Sequence, residues 1–163
     1  VHKLPFICLI ENNKYAISVP AHLQYAADKL SDRAIGYGMH GEQVDGNDPI
    51  AVYKVMQEAR ERAVNGEGAS LIEAMSIRLT PHSSDDDDKY REAEELAKNK
   101  EDDCLELFKL YLLDEKVIDE AWLEAVEADV KDTVNKATKA AEAAPYAAPE
   151  HALKHVYEEV NNG

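Results

Sequence analysis

The chain has 163 residues, of which 33 are acidic and 18 are basic, so its formal net charge is −15. Hydrophobic residues make up 45% of it, which is typical of a globular domain rather than a disordered chain. The acidic excess argues against binding to nucleic acid or to an anionic membrane surface through a basic face. Cys8 and Cys104 form neither a disulfide framework nor a metal-binding pair. No segment approaches the roughly 18 apolar residues that span a bilayer. We therefore expect a soluble, cytoplasmic protein with reduced thiols.

The first half of the sequence predicts an α/β fold, in which a parallel sheet is flanked by helices. Residues 4–10 and 69–77 are continuous apolar runs, which are typical of strands covered on both faces. Between them we predict a short helix over residues 21–31, a glycine-containing loop, and a longer helix. Asp48 is a suitable N-cap for this longer helix, and Pro49 fits its first turn. The apolar residues that follow at helical spacing are Val52, Val55, Met56, Ala59 and Ala63.

The second half changes character after Arg78. Residues 79–90 form a polar segment, called the histidine loop here, which contains His82 and four consecutive aspartates. Beyond it the sequence predicts a helical tail with three apolar stripes. These consist of Cys104, Leu105, Phe108, Tyr111 and Leu112; of Trp122, Val126, Val130, Val134 and Ala137; and of Leu153, Val156, Tyr157 and Val160.

Two polar segments could carry chemistry. Residues 11–15 (Glu-Asn-Asn-Lys-Tyr) follow the first strand, at the edge where ligands bind in open α/β sheets. An asparagine side chain and a backbone carbonyl suit Mg²⁺, but the same residues are also typical of a simple turn. His82 could transfer protons, or could be a surface histidine without a role. The aspartate run lacks the spacing of a calcium-binding loop.

Three segments, in this order, resemble the alpha subunits of 2-oxo acid dehydrogenase complexes. They are residues 11–18 (Glu-Asn-Asn-Lys-Tyr-Ala-Ile-Ser), 44–48 (Val-Asp-Gly-Asn-Asp) and 78–88 (Arg-Leu-Thr-Pro-His-Ser-Ser-Asp-Asp-Asp-Asp). The resemblance covers essentially the whole chain. It implies that residues 1–92 are the carboxyl-terminal half of a thiamine diphosphate-binding α/β domain, and that residues 93–163 are a helical tail packing on it.

The resemblance also implies a set of site residues. The Asn13 side chain and the Tyr15 backbone carbonyl would bind Mg²⁺, which holds thiamine diphosphate. The Gly-Asp-Gly half of the cofactor motif would precede Val1. His82 matches the family's active-site histidine, near the cofactor and the lipoyl group. Ser83 matches a regulatory phosphorylation site of mitochondrial relatives. Finally, Arg78, Tyr90 and Arg91 match residues that frame this loop.

The implied activity is the oxidative decarboxylation of a branched-chain 2-oxo acid such as 3-methyl-2-oxobutanoate. The acyl group would pass to a lipoyl group on an acyltransferase component, and the enzyme would be a heterotetramer of two alpha and two beta subunits. Residues 1–163 alone are expected to be inactive. Two alternatives remain: a pyruvate or acetoin dehydrogenase alpha subunit, and a non-enzymatic acidic interaction domain.

Overall fold

A computed structural model describes residues 1–154, except for the side chain of Leu153. It contains five strands: β1 (Ile7–Asn12), β2 (Tyr15–Ala16), β3 (Val19–Pro20), β4 (His40–Asp45) and β5 (Ser70–Met75). It also contains five α-helices: α1 (Arg33–Tyr37), α2 (Pro49–Val64), α3 (Ala93–Glu101), α4 (Cys104–Asp114) and α5 (Glu120–Ala143). Short 3₁₀ helices cover Ala21–Leu23, Leu30–Asp32 and Pro149–Leu153.

The described residues fall into two compact units, Val1–Asp114 and a second one that begins at Glu115. The first unit contains the sheet and helices α1 to α4, and the second contains α5. The division predicted after residue 92, with a tail packing on the first domain, remains a prediction. Of the predicted last helix, Val156, Tyr157 and Val160 lie outside the described residues. Within residues 1–154, no helix is both long enough and apolar enough to cross a membrane.

The sheet confirms the predicted α/β class. Strands β1, β5 and β4 lie side by side in that order, and both neighbouring pairs are parallel. Helix α2 connects β4 to β5, as in a strand–helix–strand crossover. Its start agrees with the prediction, because the Asp48 side chain accepts hydrogen bonds from the backbone amides of Ile50 (2.9 Å) and Ala51 (3.1 Å).

The core lies between α2 and the sheet. Val55 and Ala59 of α2 are buried against Ile72 of β5, and Ile7 and Val44 of the neighbouring strands pack around them. Strand β5 is buried along almost its whole length, which confirms the prediction that it is covered on both faces. This buried central strand fixes where the segments after all three strands meet.

Four details of the prediction were wrong. The first strand begins at Ile7 rather than residue 4, because Pro5 cannot donate a backbone hydrogen bond to a neighbouring strand. It is also not covered on both faces: Leu9 is 45% exposed, and in residues 1–154 only β5 pairs with β1.

The predicted helix over residues 21–31 is instead an irregular segment with a 3₁₀ turn at each end. Two of its residues bond to side chains of the sheet: the Tyr25 hydroxyl accepts from Asn12, and the Ser31 amide donates to Glu73. These contacts override local helix propensity.

The predicted glycine loop contains both α1 and the strand β4. Strand β4 includes a glycine, Gly41, at the point where it passes close to the backbone of Ser31. A Cβ at this position would lie 2.4 Å from the Ser31 carbonyl oxygen.

Candidate active site

The carboxyl ends of the three parallel strands meet at a cavity of about 1160 Å³ in the first unit. Asn13 and Tyr15 reach it from the end of β1, Asp45 from the end of β4, and Arg78 from the segment after β5. Side chains of α3 and α4, including Glu95 and Phe108, complete the wall. The three segments that carry the family resemblance are therefore brought to one edge of the sheet, where open α/β sheets bind ligands.

The Asn12–Tyr15 turn contains both predicted metal ligands. The Asn12 Oδ1 atom accepts a hydrogen bond from the Lys14 amide (3.0 Å), and the Asn13 Oδ1 atom accepts one from the Tyr15 amide (3.0 Å). Lys14, which lies between Asn13 and Tyr15, has a positive φ of 67°. Local hydrogen bonds from side chains help to stabilise this conformation. Asn13 lines the cavity, and its amide oxygen keeps a second lone pair for another partner.

The Tyr15 carbonyl is the second predicted ligand. Tyr15 and Ala16 pair with Pro20 and Val19 in a small antiparallel hairpin, in which Tyr15 lies opposite Pro20. Because proline has no N–H group, Pro20 cannot donate a hydrogen bond to the Tyr15 carbonyl. This carbonyl is thus not engaged by the residue opposite it in the ladder.

These groups would suit the magnesium ion of a diphosphate cofactor. An amide oxygen and a carbonyl oxygen are hard donors of the kind that Mg²⁺ prefers, and the adjoining cavity has room for a cofactor. Mg²⁺ takes about six ligands and often shares them with phosphate oxygens and water. Within residues 1–154, no cluster of three or more histidine, cysteine, aspartate or glutamate residues could hold a metal ion instead.

The end of β4 contributes a turn that only glycine fits. The Gly46 amide donates to the Met75 carbonyl oxygen (2.7 Å), and a Cβ at Gly46 would lie 2.8 Å from that oxygen. The Asp45 side chain then accepts from the Asn47 amide (2.9 Å). This close approach joins the ends of β4 and β5 at the cavity.

Asp86 organises the histidine loop. Its carboxylate accepts hydrogen bonds from the His82 amide (2.9 Å), the Asp88 amide (3.0 Å) and the Tyr90 hydroxyl (2.5 Å). The hydrogen bond from Tyr90 contributes most to lowering the pKa of Asp86 from 3.8 to about 2, followed by that from the Asp88 amide. Burial raises the pKa of Tyr90, and its hydrogen bond to Asp86 raises it further. The His82 side chain is exposed and does not line the cavity, and Ser83 is exposed beside it.

A buried ion pair closes the loop at its carboxyl end. Arg91 is 5% exposed, and its guanidinium donates two hydrogen bonds to Asp88 and one to the Arg78 carbonyl oxygen. The hydrogen bonds between the two side chains lower the pKa of Asp88 and raise that of Arg91. A bidentate pair of this kind fixes the geometry of both side chains.

Arg78 connects the histidine loop to the hairpin that follows the Asn12–Tyr15 turn. Its guanidinium donates to the Ile17 carbonyl (2.8 Å) and to the Tyr90 hydroxyl (2.5 Å). It also lies over both aromatic rings, 5.2 Å from the centre of Tyr15 and 5.5 Å from that of Tyr90. Such cation–π contacts add to the hydrogen bonds. The predicted loop-framing residues Arg78, Tyr90 and Arg91 thus form one connected cluster.

Two carboxylates near the site were not predicted from the sequence. Glu95 on α3 accepts a hydrogen bond from the Tyr15 hydroxyl (2.8 Å); burial is the main cause that raises the pKa of Tyr15, and this bond adds to it. Glu73 lies inside β5, 1% exposed, and accepts a hydrogen bond from the Asn12 side chain. A charged residue in the middle of an apolar strand was the available signal for Glu73. Glu95 lies among other acidic residues at the start of α3, so nothing in the sequence singled it out.

Comparison with known proteins decides the family. A family model described as the dehydrogenase E1 component matches residues 1–150 of the chain. The chain belongs to the dehydrogenase E1 component family.

Several E1 alpha subunits are similar to this E1 chain. It is 54% identical over 158 residues to the 2-oxoisovalerate dehydrogenase subunit alpha of Bacillus subtilis (strain 168), an alignment that covers 96% of this chain and 48% of the relative. It is 39% identical over 161 residues to the pyruvate dehydrogenase E1 component subunit alpha of the same organism, covering 98% of this chain and 43% of the relative. The corresponding pyruvate dehydrogenase subunit of Staphylococcus aureus (strain COL) is 42% identical over 142 residues, an alignment that covers 83% of this chain and 38% of the relative. The chain spans about half the length of the curated relatives it matches.

Proposed function

We propose that this chain forms part of the alpha subunit of a branched-chain 2-oxo acid dehydrogenase. The reaction is the oxidative decarboxylation of 3-methyl-2-oxobutanoate or a similar substrate, with transfer of the acyl group to a lipoyl group. The observation that carries this proposal is the 54% identity to a 2-oxoisovalerate dehydrogenase subunit, against 39% and 42% for pyruvate dehydrogenase subunits. The meeting of three polar segments at one cavity supports an enzymatic role over a purely structural one.

Asn13 and Tyr15 bind Mg²⁺ in this proposal, through the side-chain amide oxygen and the backbone carbonyl oxygen. The ion, when bound, would neutralise part of the charge of a diphosphate. Thiamine diphosphate, when bound, supplies the nucleophilic carbon and the electron sink for decarboxylation. Because the described residues supply two of the roughly six ligands of Mg²⁺, we expect residues 1–163 to be inactive without further ligands and a partner subunit.

His82 is the proposed proton-transfer residue. Its backbone amide is held by Asp86, whereas its imidazole is exposed on the loop surface. An imidazole can take up a proton and can donate one to an oxygen that becomes negative during the reaction. We infer that the loop presents this group to the cofactor site and to the arriving lipoyl group.

Ser83 is the proposed point of control in the same loop. Its hydroxyl-bearing side chain is exposed, and its carbonyl oxygen accepts a hydrogen bond from the Asp86 amide (3.2 Å). A phosphate at Ser83 would add about two negative charges beside four aspartates. We propose that phosphorylation there opposes the loop conformation by charge repulsion.

The proposed partners are a beta subunit, in a heterotetramer of two alpha and two beta subunits, and a lipoyl-bearing acyltransferase component, all in the cytoplasm. Support for a subunit interface comes from α5, whose predicted apolar stripe is exposed at Trp122 (51%), Val130 (55%) and Val134 (58%). Contiguous exposed apolar side chains are typical of protein–protein contacts.

The substrate is tested in the full-length subunit, meaning a chain of the relatives' length that contains residues 1–163, assembled with a beta subunit. Carbon dioxide release and acylation of a lipoyl domain are measured with 3-methyl-2-oxobutanoate and with pyruvate. We expect a higher kcat/KM for the branched-chain substrate. A preference for pyruvate would contradict the substrate assignment, and no turnover of either would favour an acidic interaction domain.

The same assembly tests His82. We expect His82→Ala to lower the rate of lipoyl acylation by about 10²-fold or more, the usual contribution of a general acid or base. His40→Ala is the matched control, because this histidine is paired with Glu42 on β4 and does not line the cavity. Equal rates in both variants would remove His82 from the proposed chemistry.

A further inference from the structure

A buried carboxylate lies behind the Asn12–Tyr15 turn and has no role in the function proposed so far. Glu73 occupies the middle of β5 and is 1% exposed, although its neighbours Ile72 and Ala74 are apolar core residues. An ionised carboxylate in such a position is strongly unfavourable unless hydrogen bonds replace its hydration. What Glu73 contacts therefore indicates why a charge is placed there.

Both carboxylate oxygens of Glu73 are engaged. Its Oε1 atom accepts a hydrogen bond from the Asn12 side-chain amide (2.7 Å), and its Oε2 atom accepts one from the Ser31 backbone amide (3.0 Å). Burial alone would raise the pKa of Glu73, but these hydrogen bonds lower it overall, so the side chain is an anion that only accepts.

The Glu73 carboxylate also determines the orientation of the Asn12 side chain. An asparagine amide can point its oxygen or its nitrogen in a given direction, and its partners decide which. Because the Glu73 carboxylate can only accept hydrogen bonds, the Asn12 side-chain nitrogen faces Glu73 on the neighbouring strand β5. The Asn12 Oδ1 atom therefore faces the Lys14 amide, at 3.0 Å. That hydrogen bond supports the positive φ of Lys14 (67°), the residue between the two proposed metal ligands.

We propose that Glu73 is a positioning residue for the metal-binding turn. Its carboxylate orients the Asn12 side chain, which holds Lys14 in its left-handed conformation. That conformation sets the relative positions of the Asn13 oxygen and the Tyr15 carbonyl, the two groups that would bind the metal. This inference rests on the proposed function, because it assumes that Asn13 and Tyr15 bind Mg²⁺ with thiamine diphosphate.

Two substitutions break the Glu73–Asn12 pair in opposite ways. Glu73→Gln removes an acceptor, since its amide nitrogen must face either the Ser31 amide or the Asn12 nitrogen. Asn12→Asp places two carboxylates against each other, and like charges at this distance repel.

The double variant Asn12→Asp with Glu73→Gln reverses the pair and keeps its total charge. The glutamine oxygen can accept from Ser31 while its nitrogen donates to the carboxylate introduced at position 12, which still accepts from Lys14. If Glu73 acts by orienting the side chain at position 12, this exchange should restore the turn.

The test uses the full-length subunit with its beta subunit, in calorimetric titrations of Mg²⁺ at saturating thiamine diphosphate. Thermal midpoints and hydrogen exchange of the Lys14 amide are measured without cofactor. We expect each single variant to weaken the apparent Mg²⁺ affinity about tenfold, as is usual when groups that orient metal ligands are changed. We also expect each to speed Lys14 exchange, and the double variant to recover most of both. Glu42→Gln, on the neighbouring strand β4, should behave as wild type.

Distinct results separate the failure of this inference from the failure of the proposed function. If the wild-type assembly bound no Mg²⁺–thiamine diphosphate, the proposed function would fail and this inference with it. Wild-type binding with equal affinity in Glu73→Gln would overturn the inference alone. Weakened binding in both single variants without recovery in the double variant would also overturn it, since the effect would then be general damage to the core.

Discussion

The Asn12–Tyr15 turn and the histidine loop both follow strands of the same sheet, but different interactions hold them in place. The turn is anchored in the core, where the buried Asn12 side chain bonds to the buried Glu73. The loop is anchored by charged side chains, chiefly Asp86, which accepts from the Asp88 amide, and the buried pair of Asp88 with Arg91. Arg78 contacts both regions.

This contrast fits the different roles proposed for the turn and for the loop. A metal ligand must hold a fixed position, and buried hydrogen bonds in a packed sheet provide one. In the proposed function the loop admits a lipoyl group, which requires contacts that can be broken and remade. The contacts of Asp86 and of the Asp88–Arg91 pair join side chains within one short segment, so they can be lost without unpacking the sheet. Changes near the turn should therefore affect global stability, whereas changes in the loop should affect local order.

The largest effect is expected at Gly46, in the turn that directly follows strand β4 of the sheet. In Gly46→Ala the new Cβ would lie 2.8 Å from the Met75 carbonyl oxygen, so the ends of β4 and β5 would have to separate. We expect a loss of about 2 kcal/mol in the free energy of unfolding, within the range for overpacking, measured by denaturant titration of the full-length subunit. The matched control is Gly36→Ala in α1, where nothing lies within 4 Å of the added atom. A loss as large in the control would contradict the packing argument.

In the loop, the next largest effect is expected at Asp88. Asp88→Asn leaves the buried Arg91 guanidinium without its counter-charge, a condition that buried ion pairs tolerate poorly. We expect limited proteolysis of the histidine loop to become about tenfold faster or more, through loss of this ion pair, with little change in the global thermal midpoint. Asp87→Asn is the control, because within residues 1–154 this exposed aspartate pairs with the exposed Lys89 and with no other cation. If both variants were cleaved at the wild-type rate, the ion pair would not be what orders the loop.

The smallest effect concerns the stability of the histidine loop at low pH and the contribution of Tyr90 to it. The pKa of Asp86 is lowered from 3.8 to about 2, so its hydrogen bonds stabilise the loop fully above about pH 4. They are lost as the pH falls through 4 toward 2. In Tyr90→Phe we expect the pKa of Asp86 to rise toward 3.8, because the hydroxyl is the largest cause of the shift. An NMR titration of the Asp86 carboxyl carbon measures this, and an unchanged midpoint would show that other contacts set the pKa.

The elements predicted well from the sequence were those whose local signals agreed with their surroundings. Helix α2 has a capping aspartate, a proline in its first turn and an apolar face, and it lies where predicted. Strand β5 is an apolar run and is the buried central strand. The position of residues 11–15 at the carboxyl edge of the sheet was also predicted, whereas the meeting of all three polar segments at that edge became evident only in the structure.

The elements predicted poorly depended on distant contacts. Strand β4 reads His-Gly-Glu-Gln-Val-Asp, a polar sequence that becomes a strand only because β5 lies beside it. Residues 21–31 have helical composition, but Tyr25 and Ser31 bond to the sheet instead. The role proposed for Glu73 depends on Asn12, which is 61 residues away in the chain. No local pattern encodes such a pairing.

The central claim is that the Asn12–Tyr15 turn binds the metal ion of a diphosphate cofactor. Isothermal titration of Mg²⁺ into the full-length subunit and its beta subunit, at saturating thiamine diphosphate, tests it most directly. We expect Asn13→Ala to weaken the apparent affinity by at least about tenfold, because it removes a direct ligand, while Asn65→Ala at the end of α2 leaves it unchanged. Equal affinities in wild type and Asn13→Ala would contradict the account.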